Sequence, residues 1–378
     1  MKKSLIASLM YCTLGLATVC WQCRSSDDPQ PQLDWTLKVD TLLTNLQNPW
    51  GAAFLPTGAL LITERAGNLL LWNPNTGGTP QPISGLPSDI YVQGQGGLLD
   101  IQLHPQYTQN GWIYFVAARR TSSQGGNTAI YRTKLQGTQL QDTQVLFQGV
   151  PSSTAGQHFG ARLTFDDQGF IYMGIGDRGT PQQSQSINNH IGTIVRLHDD
   201  GRIPSNNPFV QTPNAQPEIW SYGHRNPQGL FFDTTRRILW AHEHGPQGGD
   251  ELNRIERGGN YGWPEVTFGI NYNGTTISEE TEREGMVSPI IHWSPAIAPC
   301  GLLIVKGDRY PGWQGDALLG SLVARHLRYL KLNAQGKIQS QERLLDGIGR
   351  VRWVGQAPDG LIYVLTETPG MLLKISPQ

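Results

Sequence analysis

One unit recurs six times along these 378 residues, and its spacing leaves few folds open. Each copy is an apolar strand led by Gly or Arg, a turn rich in Pro, Asp and Gly, and a second apolar strand that often carries Tyr. The copies are GAAFLPTGALLITE (51–64), GGLLDIQLHPQYTQNGWIYFVAA (96–118), GARLTFDDQGFIYMGIGD (160–177), GLFFDTTRRILWAHE (229–243), GLLIVKGDRYPGWQGDALLGSL (301–322) and RVRWVGQAPDGLIYVLTE (350–367). A third strand follows in several, as in NLLLW (68–72), AIYRTKL (129–135) and MLLKI (371–375). The strands alternate with period two and are rich in Leu, Ile, Val, Phe and Tyr, residues that suit a pleated, half-buried surface. Six such sets predict an all-β fold, a six-bladed β-propeller with four-stranded antiparallel blades around a central channel. The segment LDWTLKVDTLLTNL (33–46) is expected to pair with the last blade and close the ring, leaving no bare edge. A stack of β-sandwiches with coincidental spacing is the competing fold.

The register of the repeat also locates chemistry. Inner strands of a propeller all run the same way, so the residues just before each of them share one mouth of the channel. Those positions hold Gln95, His158, Arg225 with Asn226, Pro299 with Cys300, and Arg350, with Arg352 two residues on. Three guanidiniums, an imidazole and two amides suit a ligand with several carboxylates; the bland alternative is a solvated rim with chance charges. The stretch 217–264 is the densest part of this mouth. It sets Arg225–Asn226, the Gly245–Pro246 turn and the acids Asp250 and Glu251 close together on loops, which points to an anionic ligand with a hard metal ion.

A formal net charge of −1 provides no basic field for nucleic acid. The amino end, MKKSLIASLMYCTLGLATVCWQC, has the layout of an export signal over 1–23, too short to span a bilayer comfortably. Cys20 and Cys23 stand where a lipid-modified cysteine would, so the destination stays open between a periplasmic or membrane-anchored lipoprotein and an extracellular protein. Residues 24–35 read as a flexible tether and 36–378 as the propeller domain, in which Cys300 is the one cysteine and no internal disulfide can form.

Seven motifs, in order, resemble the soluble quinoprotein glucose/sorbosone dehydrogenase family, which includes the aldose sugar dehydrogenases: GQGGLLDI (94–101), QHFGARL (157–163), IGDRG (175–179), GHRNPQGL (223–230), HGPQGGDELN (244–253), GGNYGWP (258–264) and GRVRWV (349–354). The resemblance implies a six-bladed propeller that binds pyrroloquinoline quinone (PQQ) with calcium and oxidises aldose sugars at C1. It assigns Gln95, Arg225, Asn226, Arg350 and Arg352 to PQQ, with Thr267 and the turn through Pro299 and Cys300 as further wall contacts. It assigns the backbone carbonyls of Gly245 and Pro246 to the calcium beside the quinone, and Glu251 and Tyr261 to a second, structural calcium. His158 matches the family's catalytic base, Asp177 would orient it, and Arg225 would stabilise developing charge. Imidazole suits the removal of a hydroxyl proton near neutral pH.

Two features depart from that pattern or distract from it. Val323 stands where the family has a lysine, and Arg325, two residues on, is expected to reach in from the same strand face. His242 and His244 form an H-x-H pair with the spacing of a zinc or copper site, next to the turn assigned to calcium. The insert 266–293 is expected to arch beside the channel mouth. Two other functions stay open: a sugar- or glycan-binding propeller without turnover, and a calcium-dependent sugar lactonase. The substrate partner is a small sugar; the electron acceptor and the choice between monomer and weak dimer are not legible.

Overall fold

The computed structural model describes residues 35–121 and 125–378; the expected export signal, Cys20, Cys23 and nearly all of the expected tether lie outside them. The chain forms six four-stranded antiparallel sheets, the blades of a propeller. Their inner strands are Pro49–Phe54, Leu98–Leu103, Leu163–Phe165, Pro227–Asp233, Pro299–Ile304 and Val351–Gln356. As the repeat predicts, each is followed by its antiparallel neighbours in chain order. The ring closes where Leu37–Leu43 adds to Met371–Pro377 as the outer strand of the sixth blade, with Val39 opposite Ile375. Joining the first and last parts of the chain in one sheet removes the edge that an open ring would expose.

Apolar side chains pack between blades, face to face. Leu60, Ile62 and Trp72 of the first blade meet Trp353, Tyr363 and Leu365 of the sixth. Tyr114, Val116 and Ile130 of the second meet Met173 and Val195 of the third. Each fully buried side chain of this size stabilises the fold by about 1.5–3 kcal/mol relative to exposure.

Five of the six inner strands have a register shift at their first residues, between Pro49 and Gly51, Leu98 and Ile101, Pro227 and Gly229, Cys300 and Leu302, and Val351 and Trp353. At Gly51, Gly229 and Gly301 the shift falls at the Gly that leads the copy, and such bulges re-aim the side chains at the strand start.

Among the described residues, one side chain in the middle of the ring reaches a partner in every other blade. Arg162, at the head of the third blade, donates from Nη1 to Asp100 (2.9 Å) in the second and from Nε to the Gln228 carbonyl (3.0 Å) in the fourth. Its Nη2 reaches the Trp50 carbonyl (3.3 Å), Cys300 Sγ (3.6 Å) and the Arg352 carbonyl, in the first, fifth and sixth blades. One buried guanidinium thus touches all five other blades and separates a cavity at one mouth from a cavity at the other.

Candidate active site

His158 sits in the lead-in to the third blade, in the left-handed backbone region with φ +54°. Such a conformation costs a non-glycine residue on the order of 1 kcal/mol and persists only where neighbours hold it. Here Gln95 Oε1 accepts the His158 backbone N–H at 2.9 Å. Gly176 leaves room for the loop, because a Cβ there would stand 2.2 Å from the His158 carbonyl oxygen. The IGDRG motif supplies the rest. Buried Arg178 donates to the carbonyls of Gln157 and Ala155 and so pins the backbone that leads to His158. Asp177 Oδ1 accepts from His158 Nδ1 at 2.6 Å, while Asp177 also accepts from the Gly179 N–H (2.8 Å) and Trp263 Nε1 (2.9 Å). Burial pushes the Asp177 carboxyl up, but the bond to His158, its charge and the other donors outweigh that and hold it below the usual carboxylate range. An ionised Asp177 requires the proton on Nδ1, which leaves Nε2 as the basic nitrogen.

The fourth blade supplies the next wall. Arg225 is buried, donates from Nη1 to the His244 carbonyl at 3.0 Å and lies 5.3 Å from the Trp263 ring centre. Its backbone N–H donates to Glu243 Oε2 at 2.6 Å. Glu243 Oε1 in turn bonds His224 Nδ1 at 2.9 Å, and His224 Nε2 bonds Ser221 Oγ at 2.9 Å. This Ser–His–Glu chain is fully buried and serves as a brace for Arg225. Asn226 Oδ1 accepts from the Gly160 N–H at 3.1 Å, tying the third blade's lead-in to the fourth's.

The Gly245–Pro246 turn is held by Asp250, whose Oδ1 accepts the Gly245 N–H at 2.9 Å and whose Oδ2 accepts the N–H groups of Ile297 and Ala298, both at 2.7 Å. Neither carbonyl of Gly245 or Pro246 accepts a hydrogen bond from the described residues. Behind this turn a void of about 10 Å³ is lined by Glu243, Glu251, Tyr261 and Thr267 among others. Burial, then the neighbouring Glu243 carboxylate, push Glu251 up to about 8.

The opposite wall is less cationic than the sequence suggests. Arg350 Nε (3.2 Å) and Arg352 Nη2 (3.0 Å) both pair with Glu367 Oε2. Burial raises the Glu367 carboxyl, and the two guanidiniums overcome that and lower it. Arg65 also lines this wall. The register rule does not find Arg65 or Glu367 because they follow second strands, Leu60–Glu64 and Ile362–Thr366. Second strands run antiparallel to inner ones and return to the same mouth. Reading the residue after each of them would have found Arg65, His244, Leu322 and Glu367, all of which line the cavity.

Several predicted residues stand behind the wall or off it. Pro299 lies in the inner strand of the fifth blade, its carbonyl accepting from His244 Nε2 at 2.9 Å. Cys300 is fully buried, with Sγ 3.4 Å from Arg352 Nη1. Thr267 faces the small void, and its Oγ1 accepts the Gly269 N–H at 3.2 Å. The expectation for Arg325 is corrected: the strand Ala317–Ser321 ends before it, so Arg325 shares no strand face with Val323, and Arg325 lines neither main cavity. Val323 itself lines both and is 60% exposed. The H-x-H pair is a brace between blades, His242 Nε2 donating to the Gly301 carbonyl at 3.0 Å and His244 Nε2 to Pro299. Burial holds His242 down at about 4 and His244 well below its usual value, so both stay neutral.

Two cavities open at this mouth, of about 460 and 390 Å³, and share Gln95, Asn226, His244, Tyr272, Ala298 and Val323. The first also holds His158, Arg225, Gly245 and Pro246; the second holds Arg65, Arg350, Arg352 and Glu367. Tyr272, from the insert, is 77% exposed and stands over both, which puts the insert at the mouth as expected. The buried Nε atoms of Arg65, Arg225 and Arg352 have no hydrogen-bond partner. Unpaired guanidinium donors around a space of this size fit a planar polycarboxylate such as PQQ. The two unengaged carbonyls fit a calcium ion beside it, since calcium takes hard oxygen ligands. Among the described residues no group of three or more His, Cys, Asp or Glu is placed to hold a metal, so backbone oxygens would carry that role.

Residues 46–374 match the family profile described as glucose/sorbosone dehydrogenase. The chain is 38% identical to the aldose sugar dehydrogenase YliI of Escherichia coli K12, over 91% of this chain and 94% of that one. The apo-form crystal structure of the soluble aldose sugar dehydrogenase from Escherichia coli superposes with a TM-score of 0.87 and 36% identity, covering 91% of this chain and all of that one. The PQQ-bound form of an aldose sugar dehydrogenase from Streptomyces coelicolor superposes with a TM-score of 0.76 and 28% identity, covering 92% and 100%.

Proposed function

The chain belongs to the glucose/sorbosone dehydrogenase family, and from that premise we propose that it is an exported quinoprotein that oxidises aldose sugars at C1 to lactones, with PQQ and calcium as cofactors and His158 as general base. One observation carries the reading: the His158–Asp177 pair opens on the same cavity as Arg225 and the free carbonyls of Gly245 and Pro246. A binding propeller has no use for an imidazole whose tautomer is set by a buried carboxylate. A lactonase with its metal in a carboxylate cage on the axis would need the place that Arg162 fills.

When bound, PQQ supplies the two-electron acceptor for a hydride from the sugar carbon. The residues of the chain do the remainder. His158 Nε2 takes the proton of the C1 hydroxyl as the C–H bond breaks, and Asp177 stabilises the imidazolium that results. Arg225 holds positive charge at the cavity wall, its own geometry set by His244 and Glu243. Gln95, Asn226, Arg350 and Arg352 would hold the cofactor, with Pro299, Cys300 and Thr267 supporting the wall. Gly245 and Pro246 would hold the calcium beside the cofactor, and Glu251 and Tyr261 a structural one. Tyr272 and Val323 leave an open side for a sugar.

The test is reconstitution. Apo-protein given PQQ and calcium is expected to oxidise aldoses with an artificial dye acceptor, and to lose that activity to a calcium chelator. Bound quinone that no aldose reduces would count against the assignment. Export over 1–23, lipidation of Cys20 or Cys23 and a propeller domain from residue 36 belong to the same proposal; the mass of the mature amino end decides them.

A further inference from the structure

Arg65 differs from every other arginine at this mouth. It occupies the turn between the second strand, Leu60–Glu64, and the third, Asn68–Trp72, of the first blade. Its backbone is clasped from both sides: the N–H donates to the Asn48 carbonyl at 3.1 Å, and the carbonyl accepts from the Leu98 N–H at 3.1 Å. Gly97 packs directly on it, and a Cβ at Gly97 would come within 1.8 Å of the Arg65 carbonyl oxygen. The backbone is fixed, yet the side chain is uncommitted. Among the described residues its guanidinium has no hydrogen-bond or ion-pair partner, and its Nε is buried without an acceptor.

The neighbouring carboxylate does not neutralise it. Glu64 is engaged with the Gln47 N–H at 2.6 Å and Asn68 Nδ2 at 2.9 Å. Each of the other guanidiniums has at least one partner. Arg350 and Arg352 share Glu367, Arg225 donates to His244, Arg162 pairs with Asp100 and backbone carbonyls, and Arg178 is spent chiefly on backbone carbonyls. A half-buried guanidinium fixed in a cavity wall with its donors unpaired is available to a guest that provides the acceptor.

We propose that Arg65 is a binding residue for an anionic guest of this cavity, pairing with a carboxylate of the quinone cofactor on the side away from His158 and Arg225. This rests on the quinone reading above for the identity of the guest, though not for the existence of the anion site. The planar fork of arginine matches a carboxylate with two parallel bonds, which lysine or glutamine cannot reproduce.

The experiment titrates apo-protein with PQQ at fixed calcium, followed by quenching of tryptophan fluorescence, in the wild type, Arg65→Gln and Arg65→Lys. Arg65→Gln is expected to weaken PQQ binding about tenfold or more, and Arg65→Lys by less. Both variants are expected to keep the melting temperature of the apo wild type, because the half-buried side chain has no partner among the described residues to lose. A parallel arm replaces PQQ with benzene-1,3,5-tricarboxylate and reads the rise in melting temperature, expected in the wild type and much reduced in Arg65→Gln. Equal affinity of Arg65→Gln and wild type for PQQ would overturn the proposal. If the wild type binds no PQQ, the functional reading falls, and the anion site is then upheld or rejected by the tricarboxylate arm alone. Should Arg65→Gln fail to fold, the lysine variant carries the same comparison.

Discussion

The two mouths of the channel are built from the same six strands and differ in almost everything else. The mouth where inner strands end holds the larger cavity, about 610 Å³, lined by Phe54, Leu103, Leu163, Phe231, Leu303 and Trp353 with Lys306 and Gln356 among them. The mouth where they begin holds smaller cavities and nearly all the chemistry. The reason lies in the turns. At the far mouth four of the six inner strands turn back into second strands through only four or five residues; Asp166 Oδ1, for example, accepts the N–H groups of Gln168 and Phe170, both at 2.9 Å. At the near mouth the lead-ins between blades carry His158 and Arg225, and the turns from second to third strands carry Arg65 and the Gly245–Pro246 pair. Size is therefore a poor guide to which cavity works. Unpaired donors and a preset proton acceptor are better ones.

The sharpest way to break this contrast is to disarm the near mouth while leaving its walls in place. His158→Gln is expected to bind PQQ normally and lose about 10³-fold in turnover, within the usual range for a general base; dye-linked aldose oxidation beside a PQQ titration separates the two effects. Unchanged turnover would make the near mouth no more catalytic than the far one.

The wall between the mouths comes next. Arg162→Leu strands the buried Asp100 carboxylate and is expected to cost about 3–5 kcal/mol in urea unfolding. Pairing it with Asp100→Leu should restore a large part of that loss, because the isolated charge is then gone. A single variant as stable as the wild type would show that the axis needs no tie.

Asp177→Asn should lower turnover by about 10²-fold with little change in PQQ affinity, since the amide cannot enforce the tautomer of His158. The carboxyl of Asp177 is held low in the fold, so its pairing with His158 stabilises above the ordinary carboxylate range and is lost as pH falls through the lowered value. The difference in melting temperature between wild type and variant should accordingly be present at neutral pH and shrink below about pH 4. A difference that grows on acidification would reverse the assignment of charge. The smallest effect is expected at the far mouth, where Lys306→Gln should move turnover and PQQ affinity by less than about twofold, as for surface changes away from buried features.

The ring of blades was legible because each copy announces itself with Gly or Arg before an apolar run, and the closing strand 37–43 followed from the ring's need to cover its last edge. The site was legible as far as a single register rule reaches. His158, Arg225, Asn226 and Arg350 precede inner strands and do meet at one mouth. Arg65 and Glu367 follow second strands, so a rule built on inner strands passes over them, and with Glu367 it misses the neutralising partner of two arginines. Pro299 and Cys300 hold the correct register but lie within a bulged strand start that turns them inward. Arg325 failed for a related reason, the strand ending at Ser321 before the alternation can carry it to the cavity. His224 and Glu243 sat inside quoted motifs, yet only the fold brings them together as a brace.

A crystal structure of the protein soaked with PQQ and calcium tests the convergence of these lead-ins most directly. Quinone density between His158, Arg225 and the Arg350–Arg352 pair, with an ion on the carbonyls of Gly245 and Pro246, is the expected result. Quinone in the far cavity, or an ordered cofactor out of reach of His158, would contradict it.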